Sequence, residues 1–151
     1  MTGRGSGWVV AQFVLMAAIV ASGALPPDWP GSLSRARAVF GILLIAGGVG
    51  FGFWAGRTLG RSLTPFPRPN AAGLVTTGPF AVVRHPIYLG GLGVFVGYSL
   101  LTSVLALVLT LALLALWASK VRVEERLLAQ SYDEYETYRQ RVRRRLLPFV
   151  Y

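Results

Sequence analysis

The chain has 151 residues, of which 54% are hydrophobic and 14% charged, against about a quarter charged in a soluble domain. Its net charge of +9 is confined to short stretches between long uncharged runs, which excludes an ordinary water-soluble globule. There is no cysteine and only one histidine, so a disulfide framework and a thiolate-ligated metal are excluded, and a closed zinc site has too few ligands.

In chain order, no charge falls between Arg4 and Asp28, between Arg37 and Arg57, or between His85 and Lys120. A helix crossing a bilayer needs roughly 20 apolar residues. The first run predicts a span over Trp8 to Leu25, too long for the apolar core of a signal peptide. Pro26 to Gly31 is a turn-rich connector with an interfacial Trp29. The second run predicts a span over Val39 to Ala55. Its Gly41, Gly47, Gly48, Gly50 and Gly52 suit close backbone packing in lipid, whether against a neighbouring helix or in a dimer.

Residues 56–83 break the apolar pattern. Thr64-Pro65-Phe66-Pro67-Arg68-Pro69-Asn70 is incompatible with regular helix, and Thr76-Thr77-Gly78-Pro79 reads as a turn. The third run, residues 86–119, predicts two shorter spans, Ile87 to Leu101 and Ser103 to Ala118, with Ser99, Thr102 and Ser103 at an uncharged hairpin tip. After Lys120 a stripe of Val121, Leu128, Tyr135 and Val142, filled in by Tyr132, Tyr138 and Leu146, predicts an amphipathic helix. Its basic end, Arg139 to Arg145, suits an anionic leaflet.

The expected architecture is thus an all-α integral membrane protein of about four transmembrane helices plus a cytoplasmic loop and a C-terminal amphipathic helix. It forms one membrane domain, with two spans in residues 1–56 and the loop, hairpin and tail in 57–151. Thirteen of the fifteen Lys and Arg then fall on one side. That places both termini, and the loop before His85, in the cytoplasm, and suggests a prokaryotic plasma membrane. The positive charge is juxtamembrane, so anionic membrane lipid is the expected partner and nucleic acid is not.

An antiparallel hairpin brings Arg84 and His85 to the same end as Lys120, Arg122, Glu124 and Glu125. Ionisable groups at that depth mark a functional site, although a structural clasp between Arg84 and either glutamate fits the pattern too. Carboxylate and cation together suit an amino-acid-like zwitterion, with Glu for its ammonium and His or Arg for its carboxylate. The aromatic rings of Phe80, Tyr88, Tyr135 and Tyr138 suit a base or a sulfonium. The ligand so described is S-adenosylmethionine, with S-adenosylhomocysteine as product.

Four ordered stretches carry a family resemblance: Gly73-Leu74-Val75-Thr76-Thr77-Gly78-Pro79-Phe80, Val83-Arg84-His85-Pro86-Ile87-Tyr88-Leu89-Gly90, Arg122-Val123-Glu124-Glu125-Arg126-Leu127-Leu128, and Tyr135-Glu136-Thr137-Tyr138 with Arg141-Val142 and Leu147-Pro148. Together they resemble the isoprenylcysteine carboxyl methyltransferases, and membrane phospholipid N-methyltransferases share much of the pattern. The resemblance covers roughly residues 60–150. It implies cofactor binding on the cytosolic side by Leu74, Val75, Phe80, His85, Pro86, Ile87, Tyr88 and Glu124, with Glu125 the alternative glutamate; Arg84, beside His85, is counted with them. It implies that Lys120 or Arg122 handles a substrate carboxylate. With His85 a binding residue, the catalytic step is expected to fall to Arg122 and the glutamates, Glu125 foremost. Phe80 stands where the family usually has Tyr, and Arg143 where it usually has Pro.

The expected reaction is methyl transfer to a lipophilic or lipidated acceptor, most directly an isoprenylcysteine-like carboxylate, with a phospholipid amine as the alternative. The acceptor is expected to enter from the bilayer beside the Gly-rich side of span two. Two rival readings are an NADPH-dependent membrane reductase and a non-catalytic lipid-binding protein.

Overall fold

A computed structural model describes residues 6–26, 28–32, 34–65 and 73–146, and among them the chain forms five α-helices and no strand. The helices are α1 (Ser6–Ser22), α2 (Arg35–Leu59), α3 (Pro86–Leu101), α4 (Val104–Ser131) and α5 (Tyr135–Arg141). Phe66 to Asn70 and Leu147-Pro148, used in the sequence reading, lie outside the described residues.

Local chemistry sets the helix ends. The Ser34 side chain caps α2 by accepting from the Arg37 backbone N–H at 3.2 Å, and Ser103 caps α4 in the same way through Ala106 at 3.1 Å. α2 ends at Gly60, whose positive φ of 52° suits a residue without a side chain. Pro86 occupies the first turn of α3, where its missing N–H is not needed.

By length and composition α2 and α4 can each cross a membrane, and α1 and α3 are apolar but shorter. At 1.5 Å per residue, α3 spans about 24 Å against a hydrocarbon core of about 30 Å. α4 continues well beyond the expected end at Ala118 and carries Lys120, Glu124 and Glu125 on the same rigid rod.

The first four helices alternate in direction. α1 lies antiparallel to α4: Ser103 Oγ donates to Ser22 O at 2.9 Å near one end, and Lys120 meets Gln12 near the other. α3 pairs with α4 through Ser99 and Thr110, whose hydroxyls are 3.0 Å apart. Ile19, Leu92, Phe95, Leu113 and Trp117 pack between these three helices.

α2 meets α3 most closely at glycines. A Cβ on Gly48 would stand 2.5 Å from Gly90 O, and one on Gly90 would stand 2.7 Å from Gly48 O and from Gly52 N. These are backbone atoms and have no rotamer to move to, so the two helices touch main chain to main chain. On the Gly48 and Gly52 side of α2, α3 fills the space where the acceptor was expected to enter. Gly47 and Gly50 face open space.

The tail departs from the expected continuous helix. α4 stops at Ser131, Tyr132 to Glu134 turn the chain, and α5 is a separate helix ending at Arg141. Tyr135, Tyr138 and Val142 bury against Leu74, Leu128 and Tyr132, so the apolar stripe faces protein rather than lipid. Arg143 does not extend the helix. The following residues run alongside the segment before α3, where Arg84 N–H donates to Arg144 O at 2.9 Å and His85 N–H to Arg145 O at 3.1 Å.

Candidate functional site

The alternating helices bring the N-terminal half of α1, the C-terminus of α2, the N-terminus of α3 and the charged end of α4 to one end of the bundle. There they enclose a cavity of about 500 Å³, closed from the side by α5 and the segment 73–75. That size is in the range of small-molecule sites. Leu74, Val75, Phe80, Arg84, His85, Pro86, Ile87, Tyr88, Lys120 and Glu124 all lie on its wall.

Two further expected residues do not. Arg122 is exposed on α4 and is absent from the wall. Successive helix positions point about 100° apart, so Arg122 cannot share the face of Lys120 and Glu124. Glu125 is buried but turned away from the cavity, into a clasp. Its Oε1 accepts from Arg84 Nε at 2.8 Å and lies 3.3 Å from His85 Nε2, while its Oε2 accepts from Arg145 Nε at 2.8 Å. Arg84 also donates Nη1 to Val142 O at 2.7 Å. The clasp joins the pre-α3 segment, α4 and the chain after α5.

Glu124 is the one acidic side chain among the described lining residues. Its Oε1 accepts from the Tyr88 hydroxyl at 2.7 Å and stands 3.8 Å from Lys120 Nζ, and its Oε2 is 3.6 Å from His85 Nδ1. Tyr88, a cation and an imidazole thus orient one carboxylate. The rings of Tyr88, Phe80, Tyr135 and Tyr138 supply aromatic surface around it.

Lys120 is completely buried. Its ammonium donates to Gln12 Oε1 and Pro65 O, each at 2.8 Å, and sits 5.5 Å from the centre of the Tyr88 ring. On α5, burial pushes the Tyr138 hydroxyl up to about 12 and raises that of Tyr135 further, so both remain donors. Tyr138 donates to Phe80 O at 2.8 Å, and the buried Tyr135 hydroxyl has no hydrogen-bond partner among the described residues.

The sequence reading missed the opposite wall, formed by Gln12, Phe13, Leu59, Leu63 and Pro65. Apart from Gln12 these residues are apolar or main-chain contributors and carry no chemical motif. Gln12 gave a signal, since an amide inside an uncharged apolar helix needs a partner when buried. Among the described residues no three His, Asp or Glu side chains form a group able to hold a metal ion.

Residues 36–135 match the model of a protein family described as phospholipid methyltransferase. The nickel-cobalt-cadmium resistance protein NccN of Alcaligenes xylosoxydans xylosoxydans is 36% identical over 70 residues, covering 45% of this chain and 33% of that protein. The cobalt-zinc-cadmium resistance protein CzcN of Cupriavidus metallidurans is 37% identical over 70 residues, covering 45% of this chain and 32% of that protein. The match therefore spans about a third of the length of either relative.

Proposed function

The chain belongs to the phospholipid methyltransferase family, and on that premise we propose that it moves a methyl group from S-adenosylmethionine to the amine headgroup of a long-tailed lipid. Glu124 carries the cofactor part of this reading. A single oriented carboxylate beside Tyr88, Phe80, Tyr135 and Tyr138 fits a ligand that joins an ammonium, a sulfonium and a base. When bound, the cofactor supplies a methyl group already activated on sulfur.

The chain's own residues align and dehydrate the reactants. Glu124 holds the cofactor's ammonium, and the acceptor amine must be neutral before it attacks the methyl group. Tyr88 fixes one of the Glu124 oxygens by a hydrogen bond at 2.7 Å, and His85 Nδ1 stands 3.6 Å from the other. Phe13 and Leu63 on the opposite wall are both more than half exposed, which suits an apolar tail arriving from the bilayer between α1 and the end of α2.

An amine is preferred over the isoprenylcysteine-like carboxylate because the cations on the wall are engaged. Arg84 is held by Glu125, and Lys120 by Gln12 and Pro65. The distribution of Arg and Lys supports a cytoplasmic location for this end of the bundle, and the proposal includes a prokaryotic plasma membrane with both termini inside.

The test is methyl transfer from methyl-tritiated S-adenosylmethionine to vesicles of phosphatidylethanolamine, with N-acetyl-S-farnesyl-cysteine as the competing acceptor. Base-stable label in the lipid headgroup supports the amine reading. Base-labile label on the farnesylcysteine overturns the amine and keeps the methyltransferase, and no label on either overturns both acceptors.

A further inference from the structure

We infer that Gln12 is a positioning residue of the cavity, acting through Lys120 on Glu124, so that α1 is a working part of the site. This rests on the reading of the cavity as an S-adenosylmethionine site. The family match begins at residue 36, so α1 (Ser6–Ser22) lies wholly outside it. Yet α1 places Gln12, 7% exposed, against a lysine 108 residues further along the chain.

A buried ammonium is tolerated only where its protons meet acceptors. Lys120 has two neutral ones, Gln12 Oε1 and Pro65 O, both at 2.8 Å, and stands off Glu124 Oε1 at 3.8 Å. The neutral acceptors therefore hold the ammonium just short of a contact ion pair. Glu124 Oε1 is left to Tyr88 at 2.7 Å, and the carboxylate stays available to the cavity.

Without the Gln12 acceptor, the nearest compensation for Lys120 is Glu124. The pair closes, Glu124 is drawn from Tyr88 and its charge is spent inside the protein. Gln12 thus sets how much of the Glu124 charge a ligand meets.

The experiment is calorimetric titration with S-adenosylhomocysteine of the purified full chain in detergent, for wild type, Gln12→Leu, Gln12→Glu, Lys120→Met and the Gln12→Leu/Lys120→Met double variant. Gln12→Leu should weaken binding about tenfold, as expected for losing one charge-assisted hydrogen bond. Gln12→Glu keeps an acceptor oxygen in place and should bind within about threefold of wild type. With Lys120 replaced, Gln12→Leu should have no further effect, which a double-mutant cycle detects.

A purely architectural Gln12 would lower thermal stability on Gln12→Leu and leave the affinity of the folded protein unchanged; that result overturns the inference. So does equal weakening by Gln12→Leu and Gln12→Glu, a comparison that stands even if Lys120→Met does not fold. If wild type itself binds no S-adenosylhomocysteine, the cofactor reading falls and this inference with it, an outcome distinct from wild-type binding with unaffected Gln12 variants.

Discussion

Arg84 and Glu125 lie 41 positions apart and meet at 2.8 Å, Nε to Oε1, with side chains only 5% and 6% exposed. The contact closes the loop between the pre-α3 segment and the charged end of α4. Because Arg84 also reaches Val142 O and Glu125 also receives Arg145, it holds the chain after α5 against the cavity as well.

Breaking that clasp leaves a buried charge without its partner, which costs on the order of 3 kcal/mol. Arg84→Met and Glu125→Gln are each expected to lower the thermal midpoint in detergent clearly. Arg84→Lys should not restore it, since one ammonium cannot serve both Glu125 and Val142 in the fork geometry of a guanidinium. Unfolding curves followed by circular dichroism check this.

Glu124 should behave differently, because it faces the cavity. Glu124→Gln is expected to keep the fold and to weaken S-adenosylhomocysteine binding by about tenfold or more. Tyr88→Phe removes the hydrogen bond that orients Glu124 and is expected to cost about fivefold. Calorimetry alongside the melting curve separates binding from stability.

The α2–α3 crossing makes a sharp prediction about two glycines of similar context. Gly90→Ala drives a methyl group into the main chain of Gly48 and Gly52 and should destabilise by about 1–3 kcal/mol. Gly47→Ala meets nothing within 4 Å and should leave the thermal midpoint unchanged or raise it, because Ala replaces a poor helix former.

Arg122, on the exposed face of α4, is expected to be dispensable for the ligand. Arg122→Ala should leave S-adenosylhomocysteine affinity within about twofold of wild type, the range of surface substitutions away from a site. A tenfold loss would return Arg122 to the cavity and contradict the orientation of α4.

Charge segregation was enough to reveal the helical architecture and the meeting of the Arg84-His85 corner with Lys120 and Glu124, since a hairpin of two apolar runs has few other ways to fold. The pairing of adjacent glutamates was not decidable from spacing. Glu124 and Glu125 are neighbours in sequence, and only the rotation of α4 sends one to the cavity and the other to the clasp. The stripe repeating every seven residues from Val121 to Val142 was legible as apolar, but a stripe does not say whether lipid or protein covers it. Burial of Tyr135 and Tyr138 against Leu74 answers that. Gln12 stood out as a lone amide in an apolar run, but its partner, 108 positions away, was not legible.

The central claim is that the cavity at Glu124 binds the methyl donor, and titration with S-adenosylhomocysteine tests it most directly. Wild-type protein in detergent should show saturable binding with one molecule per chain, and His85→Ala and Glu124→Gln should lose most of it while retaining their helical circular dichroism spectrum. Absent wild-type binding, or binding unchanged in both folded variants, would contradict the account.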